Sequence, residues 1–97
     1  MNISVKFPLS AAKVLKCQEL SLEFEANEMT FEELLQYFKV NYPIVFKHIC
    51  TPTLHIHPSL ICMLNTRIVM NKDIRTEKIK DGDIITFSLA IAGGANQ

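Results

Sequence analysis

Polar and apolar positions recur along this chain in two different periods, and the change of period separates strands from a helix. Residues 2–7 alternate with period two: Ile3, Val5 and Phe7 on one face, Asn2, Ser4 and Lys6 on the other. That is the signature of a half-buried strand. Pro8 ends it, because proline has no N–H to give a ladder. Residues 9–18 form a connection with room for one helical turn. Residues 19–26 alternate again, Leu20, Leu22, Phe24 and Ala26 against Glu19, Ser21, Glu23 and Glu25. The two segments predict an N-terminal hairpin with a wide loop.

The helical period then takes over. Phe31, Leu34, Leu35 and Phe38 follow one another at i, i+3, i+4 and i+7, one apolar stripe, while Glu32, Gln36 and Lys39 face water. Thr30 suits the N-cap, and Glu33 three residues later completes a capping box. Met29 before the cap and Leu34 after it form a hydrophobic staple. Asn41 and Pro43 end the helix, since a residue before proline disfavours the helical region. The stripe reads as packing against a sheet rather than as a cofactor box.

Beyond the helix the pattern is harder to read. Ile44–Ile49 suggest a second helical turn, and Thr53–His57, bracketed by Pro52 and Pro58, a short extended piece. Residues 60–65 make a strand that is apolar on both faces, and Thr66-Arg67 turns into a short strand at Ile68-Val69-Met70. Residues 71–80 form a polar connection. Asp81-Gly82-Asp83 then marks a turn, and the final strand follows, with Ile85, Phe87, Leu89 and Ile91 on one face and Ile84, Thr86, Ser88 and Ala90 on the other. The strand runs into small residues, Gly93-Gly94 and three more. The order predicts an α+β domain, a mixed sheet of about five strands with one main helix on one face.

Composition narrows the function. Ninety-seven residues suffice for one domain. The formal net charge is zero, and no basic stripe is present, which argues against nucleic-acid binding by counterion release. No apolar run approaches the ~20 residues needed to span a bilayer, and the N-terminus reads as a strand rather than a leader. Three cysteines, Cys17, Cys50 and Cys62, without a Cys-x-x-Cys pair, fit a reducing compartment, and a cytoplasmic location is expected. His48, Cys50, His55, His57 and Cys62 lack zinc-ligand spacing, and solvent-facing histidines are the expectation. Cys17 has Lys16 as its basic neighbour and reads as a half-buried small side chain. No nucleophile–base motif and no phosphate-binding glycine loop exists, so the chain itself is not expected to be an enzyme.

Three segments carry a resemblance. Asn65-Thr66-Arg67-Ile68-Val69, Lys80-Asp81-Gly82-Asp83-Ile84-Ile85-Thr86-Phe87 and Ala92-Gly93-Gly94 resemble the ThiS/MoaD group of ubiquitin-like β-grasp sulfur carriers, and the eukaryotic ubiquitin-related modifier is similar too. The similarity is clear over residues 60–94 and holds at the level of pattern over residues 1–40. It implies a β-grasp domain over residues 1–92, with first and last strands side by side and parallel, and a flexible Gly-Gly tail over 93–97. It also implies that Gly94 is the working group, with Gly93 as a slender neck. Two residues without Cβ let the backbone thread a narrow channel. The Gly94 carboxyl would be adenylated with ATP by a ubiquitin-activating-type partner, with no cofactor on the chain itself. It would then be thiocarboxylated and donate sulfur to an accepting enzyme. Because the chain continues, a peptidase would first cut between Gly94 and Ala95 and remove Ala95-Asn96-Gln97. Two other readings stay open: a modifier joined through Gly94 to target proteins, and a non-covalent β-grasp interaction module.

A partner surface is expected on the sheet face opposite the helix. If Leu64 points inward, Ile61 and Met63 point outward, where they join Ile84. The surface is assigned to Ile61, Met63 and Ile84, with Phe87 from the same final strand; the alternative is that the loop 44–59 folds over these residues.

Overall fold

The structure, a computed structural model, describes residues 1–8 and 18–90. Seven strands and two helices follow in the order β1 (Asn2–Lys6), β2 (Glu19–Glu23), β3 (Glu28–Thr30), α1 (Phe31–Asn41), α2 (Pro43–Ile49), β4 (Leu60–Leu64), β5 (Arg67–Val69), β6 (Lys78–Lys80) and β7 (Ile84–Leu89). A 3-10 turn at Asn71–Asp73 lies between β5 and β6. The main sheet has the order β2-β1-β7-β4-β5. β1 and β7 run parallel, with Val5 opposite Ile85; β1–β2, β4–β7 and β4–β5 are antiparallel. This is the β-grasp arrangement, a mixed sheet whose first and last strands lie side by side.

The helix start follows its sequence signals. The Thr30 side chain accepts from the Glu33 N–H at 3.1 Å, and the Glu33 carboxylate accepts from the Thr30 N–H at 2.8 Å. Phe31, Leu34, Leu35 and Phe38 have no exposed surface, so the stripe faces the sheet. Opposite it lie Ile3, Val5, Cys62, Leu64, Ile85 and Phe87. Aromatic rings close one end of this core. Phe7 meets Phe38 edge to face at 5.7 Å and stacks on Phe87 at 6.2 Å. The residues between α1 and β4 also pack inward. Val45, Phe46 and Ile49 of α2 are buried, and a Cys50–Ile56 bridge brings Ile56 into the same core.

Four details differ from the pattern reading. β2 ends at Glu23, not at 26: Phe24 donates to Met1 O and its carbonyl accepts from the Met1 ammonium, after which Glu25–Asn27 stay exposed on the way to β3. The polar connection at 71–80 holds β6, whose Ile79 is fully buried between exposed Lys78 and Lys80. β6 pairs with β3 in a separate two-stranded ladder. Leu89 shares its alternation with Phe87 but is half exposed, at 50%. It sits at the last position of β7, opposite Leu60. Ile91 and Cys17 lie outside the described residues. Among the described residues, no helix is long and apolar enough to cross a membrane.

Candidate functional site: the end of the central strand and the outer sheet face

The candidate site is built on β7, which lies between β1 and β4 at the centre of the sheet. Its start is fixed by a turn. Gly82 has φ +85°, a conformation that side-chain-bearing residues avoid. Its N–H donates to Asn2 O, and the Asn2 N–H donates to Asp81 Oδ1 at 2.6 Å. The Asp83 carboxylate accepts from Lys80 N and from Asn65 Nδ2. Asn65, itself in the left-handed region at φ 57°, accepts from Ile84 N through Oδ1. These bonds set the register of β7 against both neighbours. At the far end Ala90 N donates to Ser59 O at 2.7 Å. The chain therefore leaves the sheet next to the 57–59 turn, in which Ser59 Oγ and His57 Nδ1 are hydrogen-bonded at 2.8 Å.

The sequence assigned four residues to a partner surface. Ile61 and Ile84 stand on the outer face and are 37% and 39% exposed; Met63, between them in the sheet, is half-buried. Phe87 is a correction. It is 1% exposed and points to the core, where it stacks on Phe7. The alternation of β7 itself requires this, since Ile84 and Phe87 are an odd number of positions apart. Val45, Phe46, Ile49 and Ile56 of the segment 44–59 pack inward, and Ile61 and Ile84 keep more than a third of their surface exposed, so the segment does not bury the outer face. Gly93, Gly94 and Ala95 lie outside the described residues.

The pattern reading missed two contributors. Ile68, directly opposite Met63, is 56% exposed, and Met70 just past β5 is 55% exposed. With Ile61, Pro58 and Ala90 they line an open cavity of about 430 Å³ beside the point where the chain leaves the sheet. The signal was the alternation of Ile68 with Val69 on a strand that ends the sheet: one must face out. The other half of the outer face is polar. Glu19, Ser21 and Glu23 of β2 face Lys6, Ser4 and Asn2 of β1. An apolar half on β7, β4 and β5 and a polar half on β1 and β2 make the outer face asymmetric.

Neither described cysteine is an activated nucleophile. Burial pushes the Cys50 thiol up to about 11, and burial pushes the Cys62 thiol up to about 12. At neutral pH both stay protonated and inert. His55 Nδ1 lies 3.0 Å from the Thr53 hydroxyl, and His57 Nδ1 is held by Ser59.

A family model described as the ThiS family matches residues 11–94. The chain belongs to the ThiS family. No curated protein matches its sequence. Among solved structures it is similar to SAMP1 from Haloferax volcanii, at 13% identity and TM-score 0.74, covering 97% of this chain and 100% of the other. It is similar to the thiamine biosynthesis protein ThiS from Geobacter metallireducens, at 18% identity and TM-score 0.53, covering 94% and 96%. At these identities the likeness is one of fold. With the family match, it makes this ThiS-family chain a ubiquitin-like β-grasp protein of the sulfur-carrier or modifier class.

Proposed function

We propose that this ThiS-family chain is a protein cosubstrate that carries sulfur on the carboxyl group of Gly94. The observation that supports it most directly is the family match, which ends at Gly94. In this reading residues 1–92 are the domain and 93–97 the tail. A peptidase cuts between Gly94 and Ala95 and removes Ala95-Asn96-Gln97, because a Gly94 carbonyl tied up in an amide has no free carboxylate. An ATP-dependent adenylating enzyme of the ubiquitin-activating type then binds the apolar half of the outer face, Ile61, Met63, Ile68 and Ile84. The freed carboxylate attacks the α-phosphorus of ATP, pyrophosphate leaves, and hydrosulfide attacks the acyl carbon and displaces AMP, losing its proton to leave a thiocarboxylate. A sulfur-accepting enzyme takes the sulfur. The same adenylate passed to a lysine would make the chain a modifier, the activity that the Haloferax protein's description names.

Two chains, one ending at Gln97 and one at Gly94, distinguish these steps when each is incubated with the adenylating enzyme from the same organism and ATP. Pyrophosphate release from the shorter chain alone is expected; equal rates from both refute the processing step, and release from neither refutes the cosubstrate role. The intact mass of the protein isolated from its own host separates the two fates. Replacement of one oxygen by sulfur on a chain ending at Gly94 marks the carrier, and attachment to lysines of other proteins marks the modifier.

A further inference from the structure

A second exposed patch lies on the helix side of the sheet, away from the outer face and from the chain exit. It is the junction of α1 and α2. Val40, at 76%, is the most exposed of the large apolar side chains described, and Ile44, four residues on, is 58% exposed. Their neighbours on the two helices point inward, so this exposure is not a fraying end: Phe38, Val45 and Phe46 are all buried. The junction is also stiff. Tyr42 N donates to Phe38 O at 2.8 Å, and Phe46 N donates to Tyr42 O at 2.9 Å. The Tyr42 ring packs against Phe38 at 5.8 Å and Tyr37 at 6.2 Å, and it is half-buried between the two exposed aliphatic side chains. A fixed aromatic base beside exposed aliphatic groups is the composition of a contact hot spot, and its rigidity lowers the ordering cost of binding.

Along the two helices of the junction, after the first turn of α1, the charge has one sign. From residue 34 to residue 72 the chain has no carboxylate, while it carries Lys39, Lys47, Arg67 and Lys72. Three cations elsewhere are matched: Arg67 with Glu77, Arg75 with Glu32 and Lys78 with Glu28. Lys39 and Lys47 flank Val40 and Ile44, are exposed, and form no ion pair among the described residues. The His48 imidazole, one turn after Ile44, is exposed beside them.

We propose that the α1–α2 junction docks an acidic, apolar segment of a partner protein. Large apolar side chains of that segment rest on Val40, Tyr42 and Ile44, and its carboxylates meet Lys39 and Lys47. The site is independent of the tail chemistry, and its position lets one protein hold the domain from the helix side while another handles the chain end.

The test uses the full chain, isotopically labelled for amide NMR, titrated with a synthetic peptide of alternating leucine and glutamate, and with a second peptide in which every glutamate is lysine. The expected result is shifts concentrated on residues 39–48 with the glutamate peptide and none with the lysine peptide. Lys39→Glu combined with Lys47→Glu, and separately Val40→Ser combined with Ile44→Ser, should each weaken binding roughly tenfold or more. All four positions are exposed, so thermal melts of the variants are expected to match the parent. Four outcomes overturn the proposal: no shifts up to about 1 mM peptide, shifts centred on Ile61 and Ile68, undiminished binding by the variants, or an oligouridine RNA that shifts the same amides at lower concentration than the peptide.

Discussion

Phe38→Ala tests the packing of α1 on the sheet at its most demanding point. The ring has no exposed surface and touches aromatic rings on three sides, Phe7 at 5.7 Å, Tyr42 at 5.8 Å and Tyr37 at 5.9 Å. Truncation removes the burial of the ring and leaves a cavity whose walls are other rings, which cannot collapse without losing their own contacts. Phenylalanine-to-alanine changes of this kind cost about 3–5 kcal/mol. A domain of this size has a total stability of roughly 5–15 kcal/mol. The variant should therefore lose about a fifth or more of its stability, or unfold outright. With a urea slope of about 1–3 kcal/mol per molar, the midpoint should fall by at least ~1 M. Val40→Ala on the same helix, at 76% exposure, is the control and should stay within about 0.5 kcal/mol of the parent. Urea unfolding followed by far-UV circular dichroism reads both. Equal midpoints for Phe38→Ala and the parent would mean that α1 does not face the sheet through this stripe.

Three smaller perturbations probe the elements that fix the ends of the fold. Gly82→Ala meets no steric obstacle within 4 Å but keeps φ at +85°. It should cost about 1–2 kcal/mol through backbone strain alone, and a melting temperature equal to the parent's would deny that strain. Thr30→Ala removes half of the capping box and should cost about 1 kcal/mol by urea unfolding; no loss would show that Glu33 suffices. Glu77 accepts two hydrogen bonds from Arg67, and the side-chain hydrogen bond from Arg67, more than its charge, holds the Glu77 carboxyl below its usual 4.5. Its contribution is fully present above pH 4.5 and is lost as pH falls through the lowered value. Glu77→Gln should lower stability above pH 4.5 and leave the acid end little changed, which flattens that part of the stability–pH curve, and an unaltered acid limb would assign it to other carboxylates.

How much of this could be read from the residues depended on whether the signal was local. The capping box, the stripe of α1, the alternation of β1 and that of β7 as far as Phe87 each lie within one short window, and each appears in the structure as read. The β3–β6 ladder does not. Its strands are three residues long, too short for a period to emerge, and Glu28 and Lys78, which hold it together at 2.7 Å, are fifty positions apart. α2 has seven residues and starts on a proline, so its two turns offer little periodicity even though Val45, Phe46 and Ile49 are well buried. The docking face was half legible. Ile61 and Ile84 followed from alternation, whereas Ile68 needed the knowledge that β5 is the last strand, with no helix over its outer side. Phe87 fails as a surface residue for the reason that Ile84 succeeds, because the two point to opposite faces.

The placement of β7 has a mechanical consequence for a protein handled by its chain end. An enzyme that draws the end into its own site pulls along β7. That strand is bonded on both sides, parallel to β1 from Ser4 to Lys6 and antiparallel to β4 from Leu60 to Leu64. Force along it must shear two ladders together and bring Ile85 and Phe87 out of the core, whereas an edge strand such as β2 or β5 can be peeled one bond at a time. Exposing two buried side chains of that size costs about 3–6 kcal/mol before any ladder bond is counted, comparable to much of the domain's stability. The turn at Asp81–Asp83 anchors the other end of the strand through Asn2 and Asn65, so slippage toward the exit would break those bonds as well. A central final strand thus lets a small domain resist traction at its terminus, and the outer-face side chains Ile61, Met63, Ile68 and Ile84 stay in a fixed relation to the point where the chain departs.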